Sequence, residues 1–136
     1  MTTTLDVLME ASEKRPGATD SEIASVERDI GQPLPDDYKL VLHRSNGFEG
    51  FVAPGAYLML WSTGEIHSLN QAYSVPEFLP GVVLIGTDGG DTGYGFRCDD
   101  GRAQYVGVPL IGMGPGELST FGATFVEFLN RLGSAT

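Results

Sequence analysis

Apolar positions in the first third of the chain recur every three or four residues, the spacing of one face of an α-helix. Leu5, Leu8 and Met9 predict a short amphipathic helix that ends before Pro16 and Gly17. Thr19-Asp20-Ser21-Glu22 has capping-box spacing, in which the Thr19 hydroxyl accepts from the Glu22 amide and the Glu22 carboxylate reaches back. Ile23, Val26 and Ile30 then share a face, and Gly31 followed by Pro33 ends a helix over Thr19–Gly31. Pro35 opens another, Pro35–Ser45, because the N–H that proline lacks has no partner in a first turn. Asp36 and Asp37 favour the positive end of its dipole. Tyr38, Val41, Leu42 and Ser45 form one face, and Asn46-Gly47 predicts a left-handed C-cap.

The pattern then changes. Phe48–Ala53 and Tyr57–Trp61 are aromatic and aliphatic runs parted by Pro54-Gly55, two strands and a turn. Glu65–Tyr73 reads as a short helix or an irregular turn, and Val82–Gly86 as a short buried strand. Thr92–Cys98 and Arg102–Val108 flank Asp99-Asp100-Gly101. An Asp-Gly between strands predicts a hairpin, since both central positions of a type I′ turn need positive φ. Gly112-Met113-Gly114-Pro115-Gly116 reads as a loop. Phe121, Phe125, Phe128, Leu129 and Leu132 form a helical stripe that predicts a closing helix over Phe121–Leu132. Helices, an antiparallel meander and a last helix make an α+β fold, a mostly antiparallel sheet with helices packed against it.

The length, 136 residues, suits one domain over 1–136 with a packed core, and 41% hydrophobic residues exclude a disordered acidic chain. The longest apolar run is six residues, Ala56 to Trp61, too short to span a bilayer. The opening residues carry no Lys or Arg before Lys14 and no long apolar core, so no secretory signal is expected. A single cysteine, Cys98, allows no internal disulfide and fits a reducing, cytoplasmic setting.

Charge alters the picture more. Eighteen acidic residues against eight basic ones give a net charge of −10, and residues 51–96 contain no Lys or Arg. Direct binding to nucleic acid, which needs clustered bases, is not expected, whereas a basic partner would be attracted. The groups that chemistry would need are sparse. His43 sits near a helix end, where capping is the simple role, and His67 lies beside Glu65 without a nucleophile elbow anywhere. Cys98 beside Arg97 reads as a strand residue in or near the core. The glycine-rich Gly86–Gly95 stretch lacks phosphate-loop and EF-hand spacing, and Asp88 and Asp91 would repel a phosphate. No catalytic group, cofactor or metal site is therefore expected. Phe48, Phe51, Tyr57 and Trp61 are candidate interface aromatics, although alternate strand positions must fill the core. Glu49, Glu65, Asp88, Asp91, Asp99 and Asp100 are candidates for a negative patch.

Three stretches carry a family resemblance. Glu22-Ile23-x-x-Val26-Glu27, then Ile30-Gly31-x-x-Leu34-Pro35-Asp36-Asp37-Tyr38 and Asn46-Gly47, resemble the opening signature of the SUKH superfamily, the cell-wall-assembly-regulator-like proteins. Ile85-Gly86-Thr87-Asp88-Gly89-Gly90-Asp91 is similar to the family's strand-turn, and Ala123-Thr124-Phe125-Val126-Glu127-Phe128-Leu129 to its closing helix. The resemblance covers about residues 19–132 in order. It departs in the hairpin, where Phe96 is followed by Arg97 and Cys98 before Asp99. It implies a non-catalytic α+β domain. Bacterial members are mostly immunity proteins that bind and block secreted toxins, many of them nucleases, and fungal members are regulatory interaction modules. A basic toxin domain is thus the partner the resemblance and the charge jointly suggest. A regulatory scaffold, or a small hydrolase with His67 and a carboxylate in a deep pocket, is the alternative.

Overall fold

A computed structural model of the chain describes residues 16–99 and 102–134. The helix predicted around Leu5–Met9, and Asp100 and Gly101 of the predicted turn, lie outside these. The first described helix, α1 (Asp20–Ile30), is capped as expected: the Glu22 amide donates to Thr19 Oγ1 at 3.1 Å and the Thr19 amide to Glu22 Oε1 at 2.9 Å. Gly31, at φ 78°, closes it with its N–H on the Glu27 carbonyl.

Helix α2 (Asp36–Arg44) follows Pro35 and buries Tyr38, Val41 and Leu42. Its end corrects the expected cap. The C-cap is Ser45 in an extended conformation, and the positive φ falls beyond it, at Gly47. The reason is a neighbouring segment. Ala18 donates to the Leu42 carbonyl at 2.7 Å and Asn46 to that of Pro16 at 3.0 Å, so the chain leaves the helix alongside Pro16–Ala18. Gly17 lies so close that a Cβ there would sit 1.8 Å from the His43 carbonyl oxygen.

Six strands follow: β1 (Phe48–Ala53), β2 (Ala56–Leu60), β3 (Val82–Thr87), β4 (Thr92–Asp99), β5 (Arg102–Pro109) and β6 (Ser119–Gly122). They lie in the sheet in chain order, every neighbouring pair antiparallel. The expected hairpin is present, with Asp99 opposite Arg102. Between β2 and β3 run α3 (Thr63–Ala72) and the short α4 (Val75–Phe78), so the uncertain stretch after Trp61 is helical. Helix α3 starts where Asn46 Oδ1 accepts from the Thr63 amide at 2.7 Å, and Glu65 reaches back to the Ser62 amide at 3.0 Å.

Strands β2 and β3 pair only at Met59–Thr87 and Leu60–Gly86, and Trp61 adds one bond to the Ile85 carbonyl. Past that point the buried Asn70 side chain takes the place of a strand neighbour. Its amide donates to the Leu84 carbonyl at 2.8 Å and accepts from the Leu84 amide at 2.9 Å.

The last helix, α5, runs Phe125–Ser134, which corrects the predicted start at Phe121. Phe121 lies on β6, and Gly122 at φ 142° turns the chain before the helix begins. Thr124 accepts from the Glu127 amide at 3.1 Å, and Asp37 accepts from that of Phe125 at 2.6 Å. Phe121 still meets Phe128 of the expected stripe, 6.0 Å between centroids, and also Tyr94, at 5.6 Å. Helix α5 touches both edge strands, β6 and β1. The sheet therefore curls round a core of Tyr38, Tyr94, Phe96, Tyr105, Phe125 and Phe128. The Pro115–Glu117 part of the predicted loop is a 3₁₀ turn.

Candidate functional site

Several polar residues that could have carried chemistry serve as staples between elements. Asp37 takes the Tyr105 hydroxyl on one oxygen and the Phe125 amide on the other, both at 2.6 Å, joining α2, β5 and α5. Glu27 accepts from the Leu34 amide at 2.8 Å and lies 3.6 Å from Lys39. His43 faces the Ala18 carbonyl through Nδ1 at 3.0 Å and Asp20 through Nε2 at 3.1 Å, so it ties α2 to the start of α1 rather than capping its own helix. Burial raises the Tyr38 and Tyr105 hydroxyls far above their usual range, and Asp37 adds to the effect at Tyr105. Tyr94 is pushed up to about 12, first by burial and then by the Asp88 carboxylate.

His67 lines two adjoining hollows of about 290 and 490 Å³ together with Asp29. Two of the serine hydroxyls around it donate elsewhere, and a third accepts from an arginine. Ser25 accepts from Arg28 at 3.1 Å, Ser68 donates to the Glu65 carbonyl at 3.2 Å, and Ser62 to the Glu65 carboxylate at 3.0 Å. Hydrolysis by a serine would need that hydroxyl on the imidazole and a carboxylate behind it; neither contact is formed among the described residues. A third hollow of about 460 Å³ lies between Pro33–Asp37 and Cys98, Ala103 and Ala123. Cys98 is exposed there, which corrects its expected place in or near the core. Among the described residues no group of His, Cys, Asp and Glu could hold a metal ion.

The glycine-rich stretch is the β3–β4 turn. Asp88 Oδ1 accepts from the Gly90 amide at 2.8 Å and the Thr92 amide at 3.2 Å, so its carboxylate builds the turn while its surface remains half-exposed.

The candidate partner-binding residues fall into separate places. Trp61, just past the end of β2, is core, 5% exposed and stacked 6.3 Å from Tyr73 at the end of α3. Phe48 is also buried. Glu65 lies at the start of α3. Asp99 ends β4, and Asp100 lies outside the described residues. Glu49 and Phe51 do come together, and the turn that carries Asp88 and Asp91 reaches them through Tyr57. Glu49 and Phe51 alternate with the inward Phe48 and Val52, so they share the outer face of β1, with Phe51 63% exposed. Tyr57 stands opposite Phe51 on β2, its ring edge-on at 5.1 Å and its hydroxyl donating to Glu49. Gly89, at φ 84°, brings the β3–β4 turn against Tyr57; a Cβ there would lie 2.9 Å from the ring. Asp88 and Asp91 flank that glycine. Sequence alone could not choose among these candidates, because the choice rests on the β1–β2 register and on a turn distant in the chain.

The model of the SMI1 / KNR4 family (SUKH-1) matches residues 17–131, from just before α1 into the last turns of α5. No curated protein matches the chain.

Proposed function

The chain belongs to the SMI1 / KNR4 family (SUKH-1), and from that we propose that it is a non-enzymatic, cytoplasmic single-domain protein that binds and neutralises a cognate bacterial toxin with a basic surface. The observation that carries this reading is the distribution of charge. Over residues 51–96, from β1 to β4, there is no Lys or Arg, while Glu65, Glu77 and Asp91 are exposed and Asp88 half-exposed. A surface of one sign steers an oppositely charged partner and adds rate and specificity to contacts made by a few buried anchors. The use of Asp37, Glu27, His43 and Asn46 within the fold supports a domain whose polar residues hold structure rather than run a reaction. Among the described residues no helix is long and apolar enough to cross a membrane.

Co-expression tests this. A cell making the cognate toxin, sought among the reading frames beside this chain's own, should survive only when the chain is also made. Death despite stable, folded protein would remove the toxin-binding reading and leave a regulatory interaction module.

A further inference from the structure

We propose that the partner docks on the outer face of the β1–β2 hairpin and the adjoining β3–β4 turn, with a lysine or arginine of a basic protein seated on the Phe51–Tyr57 ring pair. The identity of the partner rests on the toxin-binding reading; the place of the surface does not. Four observations converge on it. Phe51 presents a large apolar ring to solvent beside a second ring, whereas the other rings of the strands are mostly inward. The pair is held: Phe51 meets Tyr57 edge-on at 5.1 Å, the Tyr57 hydroxyl is fixed on Glu49, and the β3–β4 turn lies against the Tyr57 ring at Gly89. A rigid aromatic loses little conformational freedom on binding, which suits an anchor.

Glu49 holds the Tyr57 hydroxyl, Asp88 and Asp91 lie on the turn that meets the Tyr57 ring at Gly89, and no Lys or Arg occurs between residues 51 and 96. Aromatic faces attract cations, and adjacent carboxylates take the same cation through charge-assisted hydrogen bonds. An acidic partner would be repelled by those carboxylates, and a purely apolar one would strip water from them without supplying a positive charge. The occupant that fits both features is a basic side chain on a protein surface.

Titration of the isotope-labelled protein with an oligo-arginine peptide tests the placement without the toxin. Backbone amide shifts should centre on Glu49–Val52, Tyr57 and Gly89–Asp91. Phe51→Ala should weaken binding about tenfold, as truncation of an anchor does. Glu49→Gln should weaken it less, and Asp29→Asn on α1 should leave it unchanged. Shifts centred on the α1 acids Asp20, Glu22 and Asp29, or an unaltered affinity in Phe51→Ala, would overturn the placement. Phe51→Ala in the co-expression trial separates the two ideas. Protection by the wild type but not by the folded variant supports both; protection by both proteins rejects the docking face and keeps the toxin reading. Failure of the wild type rejects the toxin reading, and the peptide titration still decides the surface.

Discussion

Asp37 shows how one side chain holds distant parts of this chain together. Its carboxylate serves a helix start 88 residues away and a hydroxyl on β5. Asp37→Ala removes an N-terminal cap, worth about 1 kcal/mol, and strands the buried Tyr105 hydroxyl, worth about 1–3 kcal/mol. The denaturation midpoint should fall by about 2–4 kcal/mol in equivalent stability. Asp36→Ala loses an exposed contact with Lys39 at 3.5 Å and a solvent-screened place at the helix dipole, and should change stability far less than Asp37→Ala. Equal effects would contradict the staple. The sequence shows Asp36 and Asp37 only as a favourable pair at the start of α2; the second partner of Asp37 depends on packing across the whole chain. The tyrosines add a pH dependence. Tyr38, Tyr94 and Tyr105 ionise near 10.0 when unfolded, and all are raised in the fold. Above that value the unfolded chain binds fewer protons than the folded one, so stability is whole below about pH 10 and falls as pH rises further. Urea midpoints should drop between about pH 10 and 12, and a flat profile would show these hydroxyls to be free of burial.

Helix α5 is the centrepiece of the core. Phe125 is almost fully buried, 5.6 Å from Tyr105 and 6.0 Å from Tyr38 between ring centroids. Phe125→Ala should cost about 3–5 kcal/mol, a large part of a domain's usual stability. Asn70→Ala should cost a comparable amount, about 2–4 kcal/mol, because it leaves both the amide and the carbonyl of Leu84 buried without partners. Chemical denaturation reads both, and an unchanged midpoint in Asn70→Ala would show that water replaces the side chain. Elements with local signals were legible in the sequence: the Thr19–Glu22 cap, the Pro54-Gly55 turn and the strands around the Asp-Gly hairpin each involve residues close in the chain. Strand β6 was not. Ser119–Gly122 becomes a strand by pairing with Tyr105–Gly107, and that partner is invisible to periodicity. Phe121 therefore joined the helical stripe at an apparent four-residue spacing, although it reaches the same ring cluster from the sheet.

The molecule as a whole divides its polar residues between two tasks. Those that carry the family resemblance, Glu27, Asp37, Asn46 and Asp88, bond to backbone or to side chains of other segments and so specify the fold. The proposed partner surface draws on the acidic stretch from β1 to β4, where Asp88 serves both the turn and the charge. Composition reveals that charge but not its arrangement, since the register of β1 with β2 decides that Glu49, Phe51 and Tyr57 share a face. Trp61, of similar promise in the sequence, ends in the core. Capture of a basic toxin through an acidic, aromatic surface, as proposed, is tested most directly by the association rate constant against ionic strength. With the purified toxin domain, raising salt from low to physiological should slow association steeply and change dissociation little, because exposed charges are screened over about 8–10 Å. An association rate indifferent to salt would contradict it.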